Sequence, residues 1–181
     1  IRLPNMVIID ITEVRVTYAV KAQDDEWWLV DSSGRIIDKA MDDSQESCTK
    51  ILGVHLLNPE AGGQAVAQET NTPQVDENGN TIPVTVTAAH RLNVALNIAD
   101  YLEANGIIGQ AASIDVNDLG DIQFWYGQQY QVKLGNESQL SHKVSLAKGA
   151  IDKLSQESHN SGVLDASLTV DKTGVRYTRF Q

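Results

Sequence analysis

Residues 130–143, YQVKLGNESQLSHK, decide the fold, because the spacing of apolar side chains changes within them. Tyr130, Val132 and Leu134 alternate with Gln131 and Lys133, the two-residue repeat of a strand with one buried face. Beyond Gly135, Leu140, Val144, Ala147, Ile151 and Leu154 recur at three- and four-residue steps, the repeat of a helix over residues 139–157. Ser138 stands where a side-chain oxygen caps the first turn. A glycine at a strand-to-helix turn can also aim backbone N–H groups at a phosphate or carboxylate. Here both G-x-x-x-x-G-K-[ST] and G-x-G-x-x-G are absent, and Glu137 adds negative charge where an anion would sit. Gly135 therefore reads as a turn.

On the amino-terminal side, residues 122–126 and 107–116 read as strands separated by the turn residues Asp118, Leu119, Gly120 and Asp121. Residues 88–105 read as a helix, with Leu92, Ala95, Leu96, Ala99 and Leu102 on one face and Asn105-Gly106 as its stop. Before it lies a loop-rich stretch over residues 57–87, holding Pro59, Gly62, Gly63, Pro73 and Pro83, with a hairpin signal at Asn78-Gly79. Near the amino end, Val7, Ile9 and Ile11 share one face of a strand, and residues 18–20 and 26–30 read as two more. Asp31-Ser32-Ser33-Gly34 is turn chemistry, and these elements suggest a small antiparallel sheet. On the carboxyl side, residues 163–170 and 175–180 read as a hairpin turned over residues 171–174. The pattern predicts an α+β fold with a mixed, largely antiparallel sheet and two packed helices.

The chain has 181 residues, with 14 Lys plus Arg against 24 Asp plus Glu, a formal charge of −10 that repels nucleic-acid phosphates and anionic lipid. Cys48 is the single cysteine, so an internal disulfide and a multi-cysteine zinc site are excluded. No apolar run approaches the roughly 20 residues that span a bilayer. The sequence opens at Ile1 inside an apolar pattern and reads as a fragment of a longer protein. His55, His90, His142 and His159 are isolated from one another, and no serine lies in G-x-S-x-G, so neither metal nor nucleophilic catalysis has motif support. Asp24-Asp25-Glu26 and Asp42-Asp43 read as solvated loop charge, lacking the spaced ligands of a calcium loop. Trp27 and Trp28 are adjacent in a strand, so one points inward and the other outward.

Several stretches together resemble the FtsQ/DivIB family of bacterial cell-division proteins. LPNMVIIDITE at residues 3–13, Ala19, WLVD at 28–31 and GRII at 34–37 are similar to the second half of that family's POTRA domain. ILGV at residues 51–54 with Gly63 resembles the start of its β domain, and YQVKLG at 130–135, Lys143 and Leu164-Asp165 resemble its later strands and helix start. The resemblance implies the carboxyl-terminal portion of a POTRA domain over residues 1–37, and a β domain over residues 38–181 with an insertion near 57–87. It also implies a non-catalytic, cofactor-free adaptor anchored by a preceding single transmembrane helix, with this region outside the cytoplasmic membrane at the division septum. Partners would be FtsL-type and DivIC/FtsB-type proteins of the machinery for septal peptidoglycan synthesis. A secreted or periplasmic hydrolase and a ligand-binding module remain the alternative classes.

The binding mechanism expected is strand addition, in which an extended partner segment pairs with an open sheet edge. The candidate strand is Gly174, Val175, Arg176, Tyr177, Thr178, Arg179 and Phe180. Tyr and Arg are enriched at binding hot spots, and the two arginines suit acidic partner residues. Tyr177 and Phe180, three positions apart, must point to opposite faces of a straight strand.

Overall fold

The structure, a computed structural model of the chain, describes residues 17–41, 43–69, 74–75, 81–82, 86–156, 161–167 and 174–180. Its strands are β1 (Thr17–Ala22), β2 (Trp27–Asp31), β3 (Ile36–Lys39), β4 (Thr49–Leu56), β5 (Gln74–Val75), β6 (Thr81–Ile82), β7 (Ala111–Asp115), β8 (Ile122–Tyr126), β9 (Tyr130–Gly135), β10 (Gly162–Asp165) and β11 (Arg176–Arg179). Its α-helices are α1 (Ala88–Ala104) and α2 (Leu140–Gln156). Nine strands form one sheet in the order β11-β10-β9-β8-β7-β4-β1-β2-β3, and β5 pairs with β6 apart from it. β4 runs parallel to β1 and β7, and β10 runs parallel to β9; the other neighbours in the large sheet are antiparallel. The fold is thus α+β with a mixed, largely antiparallel sheet. Parallel neighbours need a long crossover, and α2 supplies the one between β9 and β10.

Register places the core. Trp28, Val20, Ile51, Ile114, Phe124, Val132, Leu164 and Tyr177 are successive pairing partners across eight strands. Paired residues share a face, so the row projects to one side, and its six inner members are at most 1% exposed. Trp28 and Tyr177, at its ends, are partly exposed and pack on the same core. Both helices cover this side with the apolar stripes that the sequence predicts. α1 lies on β4 and β7, α2 lies on β9 and β10, and the helices touch each other. One residue along each strand, Leu29, Ala19, Lys50, Ser113, Trp125, Gln131, Val163 and Thr178 form a second registered row. By alternation that row projects to the opposite face.

Two expectations are corrected. Residues 37 and 38 both lie in β3, and β1 to β3 belong to the same sheet and core as β7 to β11. They join it because β1 pairs with β2 on one side and, in parallel, with β4 on the other, so the amino-terminal strands are not a separate small sheet. The strand expected at Val7, Ile9 and Ile11 lies outside the described residues. β4 itself has no counterpart among the predicted strands. Its alternation breaks at Gly53 (φ +90°), where the β1 ladder jumps from Val20 with Ile51 to Lys21 with His55. The second correction concerns Ser138. α2 starts at Leu140, after Gln139 at φ +55°, and the Ser138 hydroxyl donates to Asn136 Oδ1 (2.6 Å) instead of capping the helix.

The turn after β9 is held from within. Gly135 has φ +66°, and a Cβ there would stand 2.6 Å from Ser167 Cβ. The buried Lys143 Nζ donates to Asn136 O (2.8 Å) and Oδ1 (3.1 Å), and its burial lowers its pKa from the usual lysine value. Lys143 thus ties α2 to the end of β9. Upstream, the Asn78-Gly79 turn lies outside the described residues, although the strands on either side of it pair antiparallel.

Gly53 carries a sharp prediction. A Cβ there would approach Asn117 N to 2.4 Å, in a backbone conformation that also strains side chains. Gly53→Ala is expected to lower the unfolding free energy by at least about 2 kcal/mol in a urea titration. Gly149→Ala, in α2 with open space around it, is expected to raise it by about 1 kcal/mol. The β2-β3 turn carries a pH prediction. Burial raises the Asp31 carboxyl, but bonds to Oδ1 from Ser33 Oγ, Ser33 N and Arg35 N outweigh it, so its folded pKa lies below the usual value. The sign follows: this stabilisation is present above the unfolded pKa near about 3.9 and is lost as pH falls through the lower folded value. Asp31→Asn is therefore expected to flatten the acid limb of a stability-against-pH curve in that window.

Candidate partner-binding surface

The two edges of the nine-stranded sheet differ. At β3 the chain folds back on itself: Ile36 N–H donates to Gly63 O, Gly62 N–H to Ile36 O and Ala65 N–H to Gly34 O, each at 2.8 Å. The opening residues of the expected insertion thereby cover the first residue of β3. β11 forms the other edge, paired on one side with β10. Gly162 N–H donates to Gln129 O (3.0 Å) and Ala166 N–H to Lys133 O (2.9 Å), both towards β9. Peptide groups alternate in direction along a strand, so those of Val163 and Asp165 face β11. Their partners Thr178 and Arg176 take the ladder bonds. Tyr177 and Arg179 direct their peptide groups away from β10, to the side where no described strand lies.

Side chains of β11 separate by face as the three-residue spacing requires. Tyr177 pairs with Leu164 on the helix side, and its hydroxyl donates to Ser161 O (2.9 Å). Its ring lies over Gly162, where a Cβ would come within 2.5 Å of Tyr177 Cε2 and 2.4 Å of Thr178 O. Tyr177, expected as a contact residue, is therefore turned inward and fastens the strand to the core. Phe180 lies on the opposite face, 39% exposed, with its ring stacked on Trp125 at 6.1 Å between centroids and 22° between planes. Trp125 has no counterpart among the predicted site residues; an aromatic at an outward position of a strand was its one signal. Val175 packs partly on the core, while Gly174, Arg176, Thr178 and Arg179 are exposed. Arg176 stands opposite Asp165 on the outer face, and Arg179 stands opposite Gly162 on the helix side. Among the described residues neither guanidinium is in an ion pair. Two positive side chains thus project from the open edge of a chain whose net charge is −10.

Elsewhere the remaining candidates are separated. Trp28 packs inward, whereas Trp27 points outward beneath the ammonium groups of Lys21 (5.5 Å) and Lys50 (5.8 Å). His90 Nε2 pairs with Glu137 Oε2 (2.8 Å), joining the start of α1 to the loop before α2. An open groove of about 570 Å³ lies at one end of the sheet, among Thr17, Cys48, Lys50, Gln110 and Gln128. In it the Cys48 thiol meets Thr17 Oγ1 (3.3 Å) and the Ser44 carbonyl (3.6 Å). Burial, then Asp100, Glu103 and Asp31, raise the Tyr18 hydroxyl far above its usual pKa, so it remains neutral in the core. Among the described residues no group of three His, Cys, Asp or Glu converges on a metal position, and no helix is long and apolar enough to cross a membrane. No protein-family model and no curated protein matches the chain.

The fastening of β11 is open to test. Tyr177→Phe removes the bond to Ser161 O and is expected to lower stability by about 1 kcal/mol. Gly162→Ala drives a methyl group into Thr178 O and the Tyr177 ring. Hydrogen exchange should report lost protection of the Arg176 and Thr178 amides, with the β8 and β9 amides little changed.

Proposed function

We propose that this chain is the extracytoplasmic region of a non-catalytic cell-division adaptor of the FtsQ/DivIB type, and that β11 takes up an extended segment of an FtsL-type or DivIC/FtsB-type partner. The observation that carries this reading is the position of β11, the same segment that the family likeness singles out, at the open edge of the sheet. An added strand gains main-chain hydrogen bonds from the outward peptide groups and specificity from alternate side chains. Arg176 and Arg179 favour an acidic segment and would discourage two copies of this chain from pairing edge to edge. In this reading a single transmembrane helix ahead of the sequence holds the region at the septum, where it links partners to septal peptidoglycan synthesis. Its own contribution is placement of those partners, without a bond-making step or a cofactor.

Backbone substitution separates strand addition from side-chain docking. Arg179 directs its N–H outward, so Arg179→Pro removes one partner bond while leaving the β10 ladder intact, a substitution that edge strands tolerate. Titration of the partner ectodomains should show affinity about tenfold weaker or worse, with a melting temperature within a few degrees of the wild type's. Undiminished affinity would exclude strand addition at β11. Thr178→Pro, which removes a ladder bond, serves as the comparison that loosens the strand itself.

A further inference from the structure

We propose that Trp125, three strands in from the edge, is a positioning residue for partner binding: its stack with Phe180 holds β11 in the conformation that an added strand requires. This rests on the adaptor reading. β11 is four residues long and hydrogen-bonded to one neighbour, and such elements are among those of a fold that open most readily. Tyr177 holds it from the helix side through Gly162 and Ser161. On the other face the hold comes from Phe180, which reaches back over the sheet to Trp125 in the geometry of an offset aromatic stack.

Trp125 is anchored deep in the ladder. It is registered between Ser113 of β7 and Gln131 of β9, in the same outward row as Val163 and Thr178. β11 is therefore gripped on both faces by aromatic side chains three positions apart. A partner strand can pair only while the peptide groups of β11 lie in register, and apparent affinity falls with the fraction of time they do. Pre-organising the edge strengthens binding without adding a contact. Phe180 thus acts on β11 as well as on any partner, and Trp125 acts through Phe180 alone.

The test uses hydrogen exchange at the ladder-bonded Thr178 amide, measured on the whole chain without partner, beside titration of the partner ectodomains. Trp125→Leu should open β11 about three- to tenfold more often and weaken partner binding by a comparable factor, with the β8 and β9 amides unchanged. Trp125→Tyr, which keeps an aromatic ring, should restore both. Because Trp125→Leu can disturb β8, Phe180→Leu removes the same stack from an exposed position and should speed Thr178 exchange equally. The double variant should add nothing further. Unchanged Thr178 exchange in both single variants overturns the grip, and faster exchange with undiminished partner affinity overturns the positioning role. Wild-type protein that binds neither ectodomain overturns the adaptor reading and the positioning role together, whatever the exchange shows.

Discussion

Cross-strand registration of one row of side chains, from Trp28 through Val20, Ile51, Ile114, Phe124, Val132 and Leu164 to Tyr177, is the constraint from which the rest of the structure follows. Side chains alternate between the faces of a sheet, so slipping any strand by one residue would carry its apolar members into water. Each inner member removes its surface from solvent only while its neighbours keep register. The row fixes the side on which α1 and α2 lie, and the opposite row mixes Lys50, Ser113, Gln131 and Thr178 with Leu29, Ala19, Trp125 and Val163. It also decides the fate of Tyr177. As the last member of the buried row, that ring must turn inward, and the next outward aromatic, Phe180, must turn the other way.

Elements held by local periodicity were legible. α1 and α2 carry apolar stripes at helical spacing, and β7 to β9 alternate between clear turn residues. β4 was not legible as a strand, because Gly53 interrupts its alternation at a bulge packed closely against Val116 and Asn117, more than sixty residues away. The short β3 ends in Asp38 and Lys39 and lacks an alternating apolar signature. The boundary expected near residue 37 came from the family resemblance, and periodicity offered nothing against it. With β4 unseen, nothing in the sequence required β1 to pair on both sides.

The candidate surface was only partly legible. The antiparallel pairing of the last two strands and the opposed directions of Tyr177 and Phe180 follow from strand spacing, whereas β10 ends at Asp165, short of the expected residue 170. The outermost place of β11 depends on the order of the whole sheet, which arises from the parallel pairing of β10 with β9. The inward role of Tyr177 depends on Gly162, and that of Trp125 on a contact spanning more than fifty residues of sequence. Both are non-local, and periodicity is blind to them. The asymmetry of the edges is a further product of tertiary structure. The loop covers the start of β3, while β11 has no described strand on its outer side, so the two edges differ in how much main chain they leave unpaired.

Strand order has a mechanical consequence. β1 lies inside the sheet between β4 and β2, while β11 is its border, so in the adaptor reading any tension between β1 and a partner on β11 would cross the ladders of β4, β7, β8, β9 and β10. Loaded along the strands, those ladders yield in shear, with several hydrogen bonds strained together. Loaded across them, they unzip bond by bond from the border inward. As the proposed adaptor, the molecule would be a stiff coupling in one direction and a release in the other, and the direction of pull would determine whether a partner is retained or shed.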